Sequence, residues 1–139
     1  MMRLLIGCVL MRGGLSAAEP ERPDARPPSA GSNLPTGMEH PLYIMNRDGT
    51  DLRPLVSIPE YTAHGSPAFT PDGKRIAFDA WRSGRGETYV NAHIFVADAN
   101  GGNVRDLGPG AMPSWSPGGN RIVFSCYQPR GVWIMHADG

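Results

Sequence analysis

The strongest constraint on this chain is a sentence written twice: "SPAFTPDGKRIAFDA", Ser66 to Ala80, and "MPSWSPGGNRIVFSC", Met112 to Cys126, about 46 residues apart. A second phrase alternates with it. "LYIMNRDGTDLRPL" (Leu42 to Leu55) aligns with "IFVADANGGNVRDL" (Ile94 to Leu107), and "VWIMHADG" (Val132 to Gly139) opens it a third time. A period of roughly 40 to 50 residues marks stacked supersecondary modules, none of which buries its apolar faces without a neighbour.

Each phrase reads as a hairpin. In the first, Phe69 leads into Thr70-Pro71-Asp72-Gly73, where proline presets φ, aspartate bonds its own backbone and glycine takes the left-handed position. "RIAF" then resumes with Ile76 and Phe78 on one face, the two-residue period of a strand. The second copy keeps Pro117 and Gly119 but replaces Asp72 by Gly118 and Lys74 by Asn120, so those charges read as solvated decoration of the turn. In the other phrase "LYIM", "IFVA" and "VWIM" are β-formers, followed by the turn signals "RDG", "ANGG" and "ADG". Four short antiparallel strands per unit follow, an all-β chain of β-propeller blades.

"PAFTPDGKRIAF", "PSWSPGGNRIVF" and the "IMNRDG" and "IMHADG" turns resemble the WD40-like repeat of TolB-type propellers, across Leu42 to Gly139. That resemblance implies a non-catalytic scaffold of the bacterial envelope that docks other proteins on a propeller face. TolB-type proteins also carry an N-terminal α/β domain, and here a proline-rich segment stands in its place. The repeat itself serves many functions. The other reading is the propeller portion of a longer enzyme, a prolyl-oligopeptidase-like peptidase or an oligosaccharide lyase, with its catalytic residues outside this chain.

Along an antiparallel meander, alternate connections fall at the same end of the sheet. The Pro-Asp-Gly and Asp-Gly turns therefore share one propeller face, and the remaining links share the other. The first face is uniform. On the second, the strand-two to strand-three link runs from Asp79 to His93 in one blade and from Ser125 to Gly131 in the next. The inter-blade link is likewise long at Val56 to Gly65 and short at Gly108 to Ala111. Variable links on a rigid scaffold are where recognition resides.

The blades are too few to close a ring. The pattern divides into the end of one blade (42–55), a full blade (66–107) and an incomplete one (112–139), whereas propellers use about four to eight. Val132 to Met135 should form an exposed apolar edge. The expectation is a piece of a longer propeller, with closure by several copies of the chain as the alternative.

Ahead of the repeats, Arg3, the apolar "LLIGCVLM" and "SAA" (Ser16 to Ala18) read as an export signal over residues 1–18. That predicts a periplasmic or secreted protein. Residues 19–41, "EPERPDARPPSAGSNLPTGMEHP", are nearly empty of β-branched and aromatic residues and read as an extended linker. No run approaches the roughly 20 apolar residues of a spanning helix. Only Cys8 and Cys126 occur, so removing the signal leaves one cysteine, read as a small buried apolar residue in a strand.

Lys plus Arg and Asp plus Glu balance at 13 each, which provides no global field for nucleic acid or an anionic membrane. His40, His64, His93 and His136 have no zinc-site spacing, and no nucleophile elbow or phosphate-cradling glycine loop occurs. The reading is therefore no catalytic residue, no metal and no cofactor. What remains is "WRSGRGETY": Trp81, Arg82, Arg85 and Tyr89, with His64 of the inter-blade link, form the candidate partner-binding set. Trp, Tyr and Arg are the types enriched among interface hot spots. The bland alternative is a polar loop with Trp81 packed over its own hairpin.

Overall fold

The computed structural model describes residues 3–6, 40–82 and 89–139, with Arg3–Ile6 and Tyr89 described in their backbone alone. The strands are β1 (Arg3–Ile6), β2 (Leu42–Asn46), β3 (Arg53–Val56), β4 (Ala63–Phe69), β5 (Arg75–Trp81), β6 (His93–Asp98), β7 (Arg105–Pro109), β8 (Ala111–Trp115), β9 (Arg121–Tyr127) and β10 (Arg130–His136). A single 3-10 turn, Tyr89–Asn91, interrupts this all-β order among the described residues. The strands form three antiparallel sheets, β1-β2-β3, β4-β5-β6-β7 and β8-β9-β10. These are three successive propeller blades, the middle one complete with four strands.

The two copies of the repeated sentence build the same turn. Thr70 N–H donates to Arg75 O and Gly73 N–H to Thr70 O, and the bonds recur from Ser116 to Arg121 O and from Gly119 to Ser116 O. Gly73 and Gly119 take φ of 69° and 67°. Asp72 is more than decoration: its Oδ1 accepts from Thr70 Oγ1 at 2.6 Å and from Lys74 N–H at 3.1 Å. In the second copy Asn120 replaces that function, with Ser116 Oγ 3.2 Å from its Oδ1. There a neutral amide oxygen accepts in place of the carboxylate.

Alternation along each strand sends one set of side chains to the preceding blade and the other to the following one. Leu42, Ile44, Leu55 and Val56 of the first blade pack on Ile76, Phe78, Ala80, Phe95 and Ala97 of the second. On the opposite face of that second blade, Ala77, Val96 and Leu107 meet Ile122, Trp115 and Met135 of the third. Polar bonds stitch this second seam. Arg75 lies 5.0 Å over the Trp115 ring and donates to Gly119 O, and Trp115 Nε1 donates to Ala68 O. The fully buried Asp79 accepts from Met112 N–H at 2.7 Å.

Three readings change here. The link expected from Ser125 to Gly131 is mostly strand, because β9 and β10 pair as far as Tyr127↔Arg130 and leave a two-residue turn. His64 lies within β4 and is buried, not in the inter-blade link. Cys126 is only half buried, because its strand borders an open groove. Within the stretch read as an export signal, the backbone of Arg3–Ile6 runs antiparallel to β2, from Arg3↔Asn46 to Ile6↔Tyr43. Residues 7–18 and 19–39 of the signal and linker readings lie outside the described residues.

Candidate functional site

At the end of the sheets that carries the variable links, the second and third blades part to leave an open groove of about 1030 Å³. Its rim is set by sequence. On one side stand Tyr61 from the longer inter-blade link, Arg82 at the end of β5 and His93 at the start of β6. On the other stand Cys126, Tyr127 and Arg130 around the tight β9–β10 turn. Gly110, the single residue between β7 and β8, forms the back. A Cβ there would meet Phe124 at 2.5 Å and Ile94 at 3.0 Å, so only glycine lets the two blades approach this closely.

Tyr61 is the best-supported side chain of the rim. Its ring stands edge-on to Phe95 at 5.0 Å and 5.9 Å from the His93 ring, so core aromatics fix its direction. Burial, and then the negative charge of Asp106, push its phenol above the ordinary value of 10.0, while Arg82 opposes them. The hydroxyl therefore stays protonated near neutral pH, a donor as well as an acceptor. Arg82 covers the same ring at 5.7 Å and donates from Nε to Glu60 O at 3.1 Å. Its ion pair with the Glu60 carboxylate, at 3.5 Å and exposed on both sides, adds little.

His93 is held from behind. Its Nδ1 lies 2.9 Å and 3.0 Å from the two Asp106 oxygens, and the carboxylate also accepts Gly108 N–H at 2.8 Å. A carboxylate only accepts, so Nδ1 carries the proton and the ring is oriented by β7. Among the described residues no group of three His, Cys, Asp or Glu side chains is placed to hold a metal ion. No described helix is long and apolar enough to cross a membrane.

Of the three singled-out residues whose side chains are described, Trp81, Arg82 and His64, Arg82 alone lines this groove. Trp81 lies within β5 over Gly65 of β4: a Cβ at Gly65 would stand 3.2 Å from its ring. That is the bland reading of Trp81, an indole packed over its own hairpin. His64 faces inward, its Nδ1 3.0 Å from His40 O and its Nε2 accepting from Ile58 N–H at 3.1 Å. Arg85 and the Tyr89 side chain lie outside the described residues.

This geometry can be set beside known proteins. Over 100 residues the chain is 36% identical to the Tol-Pal system protein TolB of Anaeromyxobacter dehalogenans (strain 2CP-C), covering 70% of this chain and 22% of the relative. The chain is built of TolB-like β-propeller blades. The TolB of Anaeromyxobacter sp. (strain K) matches with the same identity and coverage. This TolB-like chain thus spans about a fifth of the length of the curated relatives it matches. No family model matches it. In three dimensions it is similar to the crystal structure of TolB from Acinetobacter baumannii, with a TM-score of 0.52 at 20% identity, over 69% of this chain and 23% of that one. At that identity the likeness establishes the shared fold.

Three rim residues of the TolB-like propeller outside the candidate set left a signal in the sequence. Tyr61 is the aromatic of the longer inter-blade link, and Tyr127 and Arg130 flank the shorter β9–β10 link. All three stand on the variable face. "WRSGRGETY" stands out in the sequence because its interface-prone residues are contiguous, whereas the groove draws its residues from four separate links.

Proposed function

We propose that this TolB-like propeller is an exported, non-catalytic binding scaffold that captures a protein partner at the cell envelope. The observation that supports it is the open groove of about 1030 Å³ on the variable-link face, framed by Tyr61, Arg82, Tyr127 and Arg130. Aromatic and arginine side chains offer large contact area and forked donors, the combination that anchors protein interfaces. The relatives named for the Tol-Pal system support a place in a protein assembly. In this reading residues 1–18 direct export to the periplasm or beyond, 19–41 act as a tether, and 42–139 form the propeller portion. Ring closure then draws on further blades.

The test is affinity capture from envelope extracts with mass-spectrometric identification, using the wild-type chain, Tyr61→Ala with Arg82→Ala, and Lys74→Ala on the opposite face as control. The reading requires one partner that is lost with the groove variant and kept with the control. A partner bound equally by all three would place recognition elsewhere, and a tagged chain that stays in the cytoplasm would end the envelope assignment.

A further inference from the structure

The link between the first and second blades is held to the scaffold by an imidazole. His64, in β4, is 8% exposed, and both of its ring nitrogens are engaged: Nδ1 lies 3.0 Å from His40 O, and Nε2 accepts from Ile58 N–H at 3.1 Å. A carbonyl only accepts and an amide N–H only donates, so the two bonds together require the neutral ring with its proton on Nδ1. Ile58 in turn closes a short turn, its carbonyl accepting Tyr61 N–H at 2.9 Å. One side of the groove rests on that turn. Tyr61 is part of it, and Arg82 reaches it twice, from Nε to Glu60 O and with its guanidinium over the Tyr61 ring.

We propose that His64 is a proton-operated latch on the groove: neutral, it holds the link that positions Tyr61 and Arg82, and on protonation it releases that link and with it the captured partner. The added proton can enter only at Nε2, where it points at Ile58 N–H. Two donors then face each other across the same 3.1 Å, and the ring cannot turn away without giving up His40 O. The link is the side that moves, because β4 is tied to β5 from Ala63↔Trp81 to Gly65↔Asp79. The surroundings set the working range. Burial disfavours the charged ring most, ahead of the opposing pull of the His40 carbonyl and of the buried Asp79 on β5. Of the other titratable groups on the elements around it, the His40 ring is exposed, Glu60 is turned to Arg82, and β2 carries only Tyr43. The released ring takes its proton near the ordinary value of 6.5 and the held ring resists it, so the latch is closed above that pH and opens as pH falls below it. Tyr127 and Arg130, across the groove on the β9–β10 turn, do not rest on this link.

Partner release rests on the binding-scaffold reading; the latch does not, and the experiment separates the two. NMR of the full chain from pH 7.5 to 5 follows the His64 ring nitrogens together with amide exchange at Ile58, corrected for its intrinsic pH dependence. The ring should carry its proton on Nδ1 at neutral pH. Ile58 should lose protection at least about tenfold by pH 5, with the midpoint of the His64 titration, while the strand amides of Phe78 and Val96 keep theirs. In His64→Gln, whose amide offers an acceptor and a donor but gains no charge, the loss should be less than about twofold. If that variant does not fold, the shared midpoint in the wild-type chain decides. Protection at Ile58 that survives His64 protonation, or that is lost together with Phe78 and Val96 in one transition, overturns the latch. For release, the protein captured from envelope extract on the immobilised chain at pH 7.5 is challenged at pH 5.5. The wild-type chain should retain at least about tenfold less of it and His64→Gln about the same amount. Equal retention by the wild-type chain at both pH values overturns the release, and a chain that captures nothing at pH 7.5 overturns the docking reading and the release with it, while the NMR result still decides the latch.

Discussion

The second and third blades begin with the same sentence and end in different surroundings. Their turns share the same two backbone hydrogen bonds, and Phe78 and Phe124 occupy the same place in β5 and β9. Yet β5 is buried from Ile76 through Ala80, while in β9 only Ile122 is fully covered. Backbone and turn chemistry are set inside the repeat. Burial is set by whether a second neighbour is present, because a strand with two apolar faces needs one blade on each side.

The largest expected break in that comparison is Phe78→Ala. Phe78 is fully buried and stacks on Phe95 at 5.6 Å, so truncation should cost about 3–5 kcal/mol, as for other buried phenylalanines. Phe124→Ala removes the same atoms from a half-covered site and should cost clearly less. Urea denaturation of both variants measures the difference. Equal losses would mean that the third blade is covered in solution as fully as the second.

Next comes Asp79→Ala, which leaves the Met112 N–H without its buried acceptor and should cost about 2–3 kcal/mol, the range for a bond to a charged group. Met112 sits at φ 55°, so the lost bond also stops holding a strained residue in place. Ser125→Ala, at the equivalent position, should cost less than about 1 kcal/mol, because its one bond stays within the blade. The same denaturation series checks this, and a Ser125→Ala loss as large as that of Asp79→Ala would show that the two positions are equivalent after all.

These pairs also indicate what sequence could convey. Strands, turns and blade order were legible because they depend on neighbours in sequence: Pro71, Gly73, Pro117 and Gly119 announce the hairpins, and Ile76 and Phe78 announce the strand face. Asp79 was not, since an aspartate following "RIAF" looks like the start of a polar link until the third blade supplies Met112 N–H across the seam. His64 was misread as a link residue for the same reason. Its partners, His40 O and Ile58 N–H, come from two different segments. The groove was legible only as a face of variable links, because its residues converge from four of them.

His64 gives a smaller effect, confined to one seam and to acid pH. Burial pushes its imidazole below the ordinary value near 6.5, against weaker opposing effects of the His40 carbonyl and Asp79. The neutral ring must accept Ile58 N–H at Nε2, so protonation removes that bond and loosens the link that carries Tyr61. In the window below about 6.5 the unfolded chain binds the proton and the folded chain resists it, so stability falls as pH falls and is full above that window. Thermal melts from pH 7.5 to 5 should therefore show a decline that His64→Gln flattens. The third blade has Gly110 at the equivalent place, so its seam has no such dependence. An unchanged slope in His64→Gln would assign the decline to other groups.

The smallest effect belongs to Ile134. Ile134→Ala removes more carbon than Val96→Ala would at the matching covered position, yet in dilute solution it should change stability by less than about 0.5 kcal/mol, as exposed sites do. Urea denaturation of Ile134→Ala and Val96→Ala side by side measures the difference, with the larger loss at the covered Val96. Equal losses would mean that the outer face of the third blade is covered in solution as fully as the matching face of the second.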